Sequence, residues 1–239
     1  MSVIAINLTL FSHSCIAKDI KGNGNLVTET KTISDFNKIE IETDVDVNYS
    51  QEKNTGKLDF TIDKNLLDYY DIYSKDNVLH IKLKEQYRKN IKLQPTKSEI
   101  TISSDYLNEI EVAGSSKFVF CTPFTSDKLH IEIAGSGKVF ANKFPVKINE
   151  CIIELAGSGE FLLLGSIQKA KLEFAGSGQV SALDCTIAQL SVDLAGSGHV
   201  KAHVTETLDV EIAGSGSVFY KGNPTINTDI SGSGKVKKL

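Results

Sequence analysis

Val192-Asp193-Leu194-Ala195-Gly196-Ser197-Gly198-His199-Val200-Lys201 decides the fold. Apolar and polar residues alternate on either side of an Ala-Gly-Ser-Gly corner, the period of half-buried strands, and glycine supplies the backbone freedom of a tight turn. The corner recurs. It starts at Ala113 (as Ala-Gly-Ser-Ser), Ala134, Ala156, Ala175, Ala195, Ala213 and Ser231, so successive starts differ by 21, 22, 19, 20, 18 and 18 residues. Thirteen of the chain's 18 glycines lie in these corners. The flanking pattern recurs too, as in Ile131-Glu132-Ile133, Leu172-Glu173-Phe174 and Val210-Glu211-Ile212.

A unit of about 20 residues cannot bury its own apolar face, and stacking such units about 4.8 Å apart pairs every strand and aligns like residues into ladders. The pattern therefore predicts an all-β, right-handed parallel β-helix, the hand that parallel crossovers adopt. Each coil is strand, corner, strand, then a looser return that absorbs the variable length. A propeller blade needs about twice as many residues per repeat. Residues 28–112 lack the corner but keep the alternation (Lys38-Ile39-Glu40-Ile41-Glu42, Leu79-His80-Ile81-Lys82-Leu83) and read as irregular coils of the same solenoid, with Leu66 to Tyr73 extended. The expected organisation is an export segment over 1–17, a linker or first strand over 18–27, and one solenoid domain over 28–239, its corner repeats at 113–239.

The export reading rests on Val3 to Phe11, apolar but too short to span a bilayer, followed by Ser12, Ser14, Cys15 and Ala17. Cleavage after Ala17 is the first expectation and lipidation of Cys15 the alternative; no other run is long enough to cross a membrane. Periplasm, outer-membrane surface or extracellular space follows. Cys121, Cys151 and Cys185 are then an odd set at different phases of the repeat, which reads as buried thiols rather than a disulfide framework.

A net charge of −4, and a single arginine (Arg88) among 26 basic residues, argue against nucleic acid. Two residues before each corner stands an acid: Glu111, Glu132, Glu154, Glu173, Asp193, Glu211 and Asp229. With their neighbours facing inward, they form an outward column. Unit charges about 5 Å apart in water repel by only about 0.8 kcal/mol, which solvation and lysines such as Lys128 and Lys171 can offset. A solvated face is the plain reading; a row of oxygen ligands for Ca²⁺ is the alternative, although calcium solenoids carry their Asp after the glycines. Seven equivalent acids lack the asymmetry of a glycosidase pair, so no catalytic residue is assigned. His199 and His203 have no third ligand in phase. The corners lack the helix and lysine of a phosphate loop. Tyr69, Tyr70, Tyr73, Tyr87 and Arg88, with nearby lysines, form a second candidate surface for a glycan or an anionic partner.

Ile20-Lys21-Gly22-Asn23-Gly24, Phe36-Asn37-Lys38-Ile39, Val45-Asp46-Val47, Leu79-His80-Ile81 and the Gly-Ser-Gly series together resemble the head GIN domain family. That family, formerly a domain of unknown function, is described as auto-transporter adhesin heads and is common in Bacteroidetes. The resemblance covers about residues 20–239 and implies a pectate-lyase-like β-helix in a cell-envelope protein. Ser116 and Ser231 depart from the corner pattern. The expected function is adhesion or binding to a glycan or surface protein; a structural envelope component and a pectinase-like enzyme are the alternatives. Only Lys235 to Leu239 follow the last corner, so either lysines guard the solenoid's edge or a homo-oligomer covers it.

Overall fold

The computed structural model describes residues 17–239, so the expected export segment, including Cys15, lies outside the described residues except for its last position. The N-terminal half begins with β1 (Lys18–Lys21), β2 (Leu26–Thr32), β3 (Lys38–Ile41), β4 (Asp46–Gln51) and β5 (Lys57–Asp63). A 3-10 turn at Leu67–Tyr69 leads into β6 (Tyr70–Lys75), β7 (Val78–Leu83), β8 (Ile91–Gln94) and β9 (Ser98–Ser104). The turn replaces the expected extended start at Leu66, whose side chain is buried.

The repeat follows as β10 (Glu109–Gly114), β11 (Lys117–Phe120), β12 (Phe124–Gly135), β13 (Lys138–Gly157), β14 (Glu160–Gly176), β15 (Gln179–Gly196) and β16 (His199–Gly214). It closes with β17 (Ser217–Lys221), β18 (Thr225–Gly232) and β19 (Lys235–Lys238). From β10 onward every pairing is parallel and in repeat register: Val112, Ile133, Leu155, Phe174, Leu194, Ile212 and Ile230 form one inner ladder. Phe118, Val139, Phe161, Val180, Val200, Val218 and Val236 form another. Each buried side chain of this size stabilises by roughly 1.5–3 kcal/mol. The chain is a β-solenoid of parallel stacked coils.

The return leg is itself strand, and the unequal spacing is absorbed there. Register breaks fall between Ala141 and Val146, between Leu162 and Leu164, and between Ala182 and Thr186. The corners stay in register because their backbones touch. Ser177 N donates to Gly157 O at 2.9 Å, and Gln179 N to Gly159 O at 2.9 Å. At Gly176 φ is +139°, and a Cβ there would lie 2.2 Å from Gly157 O. Both the backbone region and the close approach demand glycine. The Ala positions beside the corners are exposed.

Residues 28–112 are not a simple run of irregular coils. β3 and β4 pair in parallel with β10 and β11, so one coil does extend the solenoid, and β7 and β9 add a further layer. Around them β2 pairs antiparallel with β5, β5 with β9, and β6 with β7. Antiparallel turns let this part fold back over its own core, where Phe60 meets Tyr70 at 5.0 Å and Tyr49 stacks on Phe118 at 5.7 Å.

The first departure from the corner pattern now has a reason. Ser116 is buried; its Oγ donates to Thr43 O at 2.6 Å and accepts from Val45 N at 3.0 Å. Asp44 Oδ1 accepts from Ser115 N at 3.1 Å. The coil on this side has no glycine corner, so side chains make the bonds that corner backbones make elsewhere.

A second polar device was silent in the sequence. Asp63 has no exposed surface, and its oxygens accept from Gly24 N at 2.6 Å and Thr96 N at 2.7 Å. Gly22 lies against it, for a Cβ there would sit 2.2 Å from Asp63 Oδ2. Burial alone would raise the Asp63 pKa, but the backbone N–H bonds from Thr96 and Gly24 outweigh it and hold the carboxyl below its ordinary 3.8. Asp63 thus fastens two chain crossings to the end of β5.

Two outcomes follow from these contacts. Gly176→Ala should destabilise by about 3 kcal/mol or more in urea unfolding, whereas Ala175→Ser should stay within about 0.5 kcal/mol. Because the Asp63 pKa is depressed on folding, its contribution is present above the unfolded value of about 3.9 and is lost as pH falls through the folded value. Asp63→Asn should therefore lower Tm at neutral pH, and the gap from the parent should narrow below about pH 4; an unchanged gap across that window contradicts the assignment.

Candidate functional site

Alternation points the acids two residues before each corner away from the core, and parallel register stacks them. Glu111, Glu132, Glu154, Glu173, Asp193, Glu211 and Asp229 are consecutive partners along the solenoid. The column is longer than the sequence indicated. β3 places Glu40 beside Glu111, β7 places His80 beside Glu40, and β6 places Tyr73 beside His80. Glu40 was missed because its coil has no corner and stacks out of chain order; only its alternation with Ile39 and Ile41 gave a signal.

Basic side chains gather at one end of this column. Lys38 Nζ reaches Glu111 at 2.5 Å, Glu40 at 3.0 Å and Glu109 at 3.1 Å. Burial disfavours its charge, but hydrogen bonds to those three carboxylates outweigh burial and raise its pKa. His80 Nδ1 lies 2.8 Å from Glu40, and His130 Nε2 lies 3.0 Å from Glu154. Lys171 pairs with Glu173, as expected. Lys128 does not serve the column; it lies beside Glu150 at 3.8 Å, on an earlier rung of the strand. Among the described residues no cationic nitrogen lies within 4.0 Å of Asp193, Glu211 or Asp229. Glu132 has no such nitrogen either, so the paired acids are Glu40, Glu111, Glu154 and Glu173, and the three at the far end, Asp193, Glu211 and Asp229, form the unpaired run.

A shallow trough runs beside it, with Glu132, Glu154, Glu173 and Asp193 along one wall and Ala156, Ala175 and Ala195 along the other. It continues past Glu111 and Ala113 toward Glu40 and Glu42. Carboxylate oxygens repeated at strand spacing next to methyl groups offer acceptors for hydroxyl donors and an apolar strip for ring faces. Among the described residues no group of three or more His, Cys, Asp or Glu is gathered as a metal ion requires.

The structure divides the aromatic candidates. Tyr70 is 5% exposed and packs in the core, so it leaves the surface group. Tyr69 meets Tyr87 at 4.7 Å. Arg88 is held by Glu42 at 2.5 Å and Glu85 at 3.7 Å. Tyr73 lies against His80 at 4.9 Å, with Lys82 Nζ 5.3 Å from its ring centre. Tyr73, His80 and Lys82 therefore prolong the acidic face at its cap end. His199 and His203 lie on the face after the corner, level with Gln179 and Thr186 of the previous coil. Cys151 and Cys185 are buried, and burial pushes both thiols up to about 12; Cys121 is partly exposed.

A family model described as "Putative auto-transporter adhesin, head GIN domain" matches residues 35–224. No curated protein matches the chain. Among solved structures, one titled a putative lipid binding protein from Parabacteroides distasonis is 32% identical, with a TM-score of 0.78 over 93% of this chain and 100% of that one. A putative adhesin from Bacteroides fragilis is 27% identical, with a TM-score of 0.81 over 92% and 100%. A putative adhesin from Parabacteroides merdae is 26% identical, with a TM-score of 0.68 over 93% and 100%.

The charge network sets a direct expectation. Lys38→Met should leave Glu40, Glu109 and Glu111 facing one another and cost about 1 kcal/mol in chemical denaturation, a loss that shrinks as salt is added.

Proposed function

The chain belongs to the head GIN domain family, and from that premise we propose that it is a non-enzymatic adhesin of the cell envelope, exported and displayed at a surface. The observation that carries the reading is the unbroken acidic column from Glu40 to Asp229 with its strip of exposed alanines. A ligand with its own repeat, such as a surface glycan, meets the same pair of chemistries on coil after coil. Each contact is weak, and avidity across equivalent coils supplies the affinity. None of these acids is buried, which argues against catalysis of the glycosidase kind, where one carboxyl must be set apart by its environment. One relative is titled a putative lipid binding protein; here the acid-bearing face shows carboxylates and only alanine methyls, with the large apolar side chains of its strands buried, which favours a hydrophilic ligand.

The test is a glycan array with the purified protein, run with calcium and again with EDTA. A saccharide hit that falls at least about tenfold in Glu154→Gln/Glu173→Gln/Asp193→Asn supports the proposal. Loss of the hit in EDTA would add Ca²⁺ to the column as the bridging ion. No binding in either condition overturns adhesion to glycans in favour of a structural role, and release of unsaturated or reducing ends from pectic polysaccharide overturns the non-enzymatic reading.

A further inference from the structure

The two ends of the solenoid are finished differently. At the cap, the inner side chains of the outermost strand β6 are covered, Tyr70 being 5% and Ile72 8% exposed. At the other end β18 pairs only with β16, and β19 only with β17, among the described strands. Each offers a free backbone edge, and the inner ladder shows through: Ile226 is 37% and Ile230 38% exposed. Free parallel-sheet edges with apolar flanks are templates for further strand pairing.

Charge at this end is sorted by face. β18 carries Asp229 outward, stacked on Glu211, and neither has a cationic partner within 4.0 Å among the described residues. β19, past the corner, carries Lys235 and Lys237 outward, and neither has an acidic partner within 4.0 Å among the described residues. One strand runs toward the corner and the other runs away from it. A twofold axis through the corner, perpendicular to the stacking direction, exchanges the two faces. It sets β18 of one copy antiparallel to β19 of the other, twice over.

The inward–outward alternation then limits the register. Centred on Ser233, Ile230 falls opposite Val236, both inward, and Asp229 falls opposite Lys237, both outward. Backbone edge, apolar ladder and charge are thus all complementary to the same surface of a second copy. We propose that the protein forms a closed, head-to-head dimer through β18 and β19, with Asp229 of each copy paired to Lys237 of the other. The dimer joins two solenoids into one of twice the length and leaves both cap ends outermost.

The experiment is light scattering across a concentration series, at low and high salt, on the parent, on Glu211→Lys/Asp229→Lys, on Lys235→Asp/Lys237→Asp, and on an equimolar mixture of the two variants. The changed side chains are exposed, and circular dichroism checks that each variant stays folded. The expected result is a parent dimer that weakens with salt, each variant dissociating at least about tenfold more readily, and recovery of the dimer only in the mixture, where both charge pairs are restored, one as in the parent and one with its charges exchanged. A parent that stays monomeric at its highest soluble concentration overturns the proposal. So does a dimer indifferent to both variants, a mixture that fails to recover, or open-ended growth into filaments, each of which places any association on another surface.

Discussion

At every corner after the first the backbone of one coil passes so close to the carbonyl of the coil before it that no side-chain carbon fits between them. Gly157 over Gly135, Gly176 over Gly157 and Gly196 over Gly176 repeat the contact, each with the chain in a conformation that disfavours an L side chain. This approach fixes the separation of coils at the corner, and the inner ladders, the stacked acids and the exposed alanines inherit their alignment from it. Ser116 and Asp44 show the same constraint from its border. Where the neighbouring coil turns without glycine, hydroxyl and carboxylate groups take over the hydrogen bonds of the missing peptide groups.

The stacking also accounts for the electrostatics. Like residues in register make a column of like charge, a liability that grows with each coil. The chain relieves it unevenly. Lys38 reaches three carboxylates from a neighbouring rung, His130 bridges toward the next coil at Glu154, and Lys171 serves Glu173, while the last acids are left to solvent. The face therefore has a polarity along its length, with an aromatic and cationic patch at Tyr73 and Lys82 and bare carboxylates at the opposite end.

The solenoid and its seven outward acids were legible in the sequence because each is a periodic consequence of local chemistry, stated seven times. What the sequence concealed is where periodicity stops. Glu40 joins the column only because β3 stacks beside β10, a pairing across some 70 residues that no local pattern announces. Tyr70 read as one of a surface cluster, yet alternation along β6 turns it inward while Tyr73 faces out. Asp63 sits in the sequence as one more acid before a lysine; its role depends on two distant peptide groups, Gly24 and Thr96, which only the folded cap brings to it. The antiparallel pairs of the cap carry the same period of two as the parallel coils, and alternation alone cannot distinguish them.

Length in this molecule is kept on one side. The corners allow no insertion without breaking contact with their neighbours, but the return leg already tolerates bulges and skipped partners, as between Ala141 and Val146. Added or deleted residues there change the outline of that face and leave the acid column undisturbed on the other. The fold thus separates a surface of fixed spacing from one of adjustable outline, and the return leg can take up extra residues while the opposite face keeps its spacing.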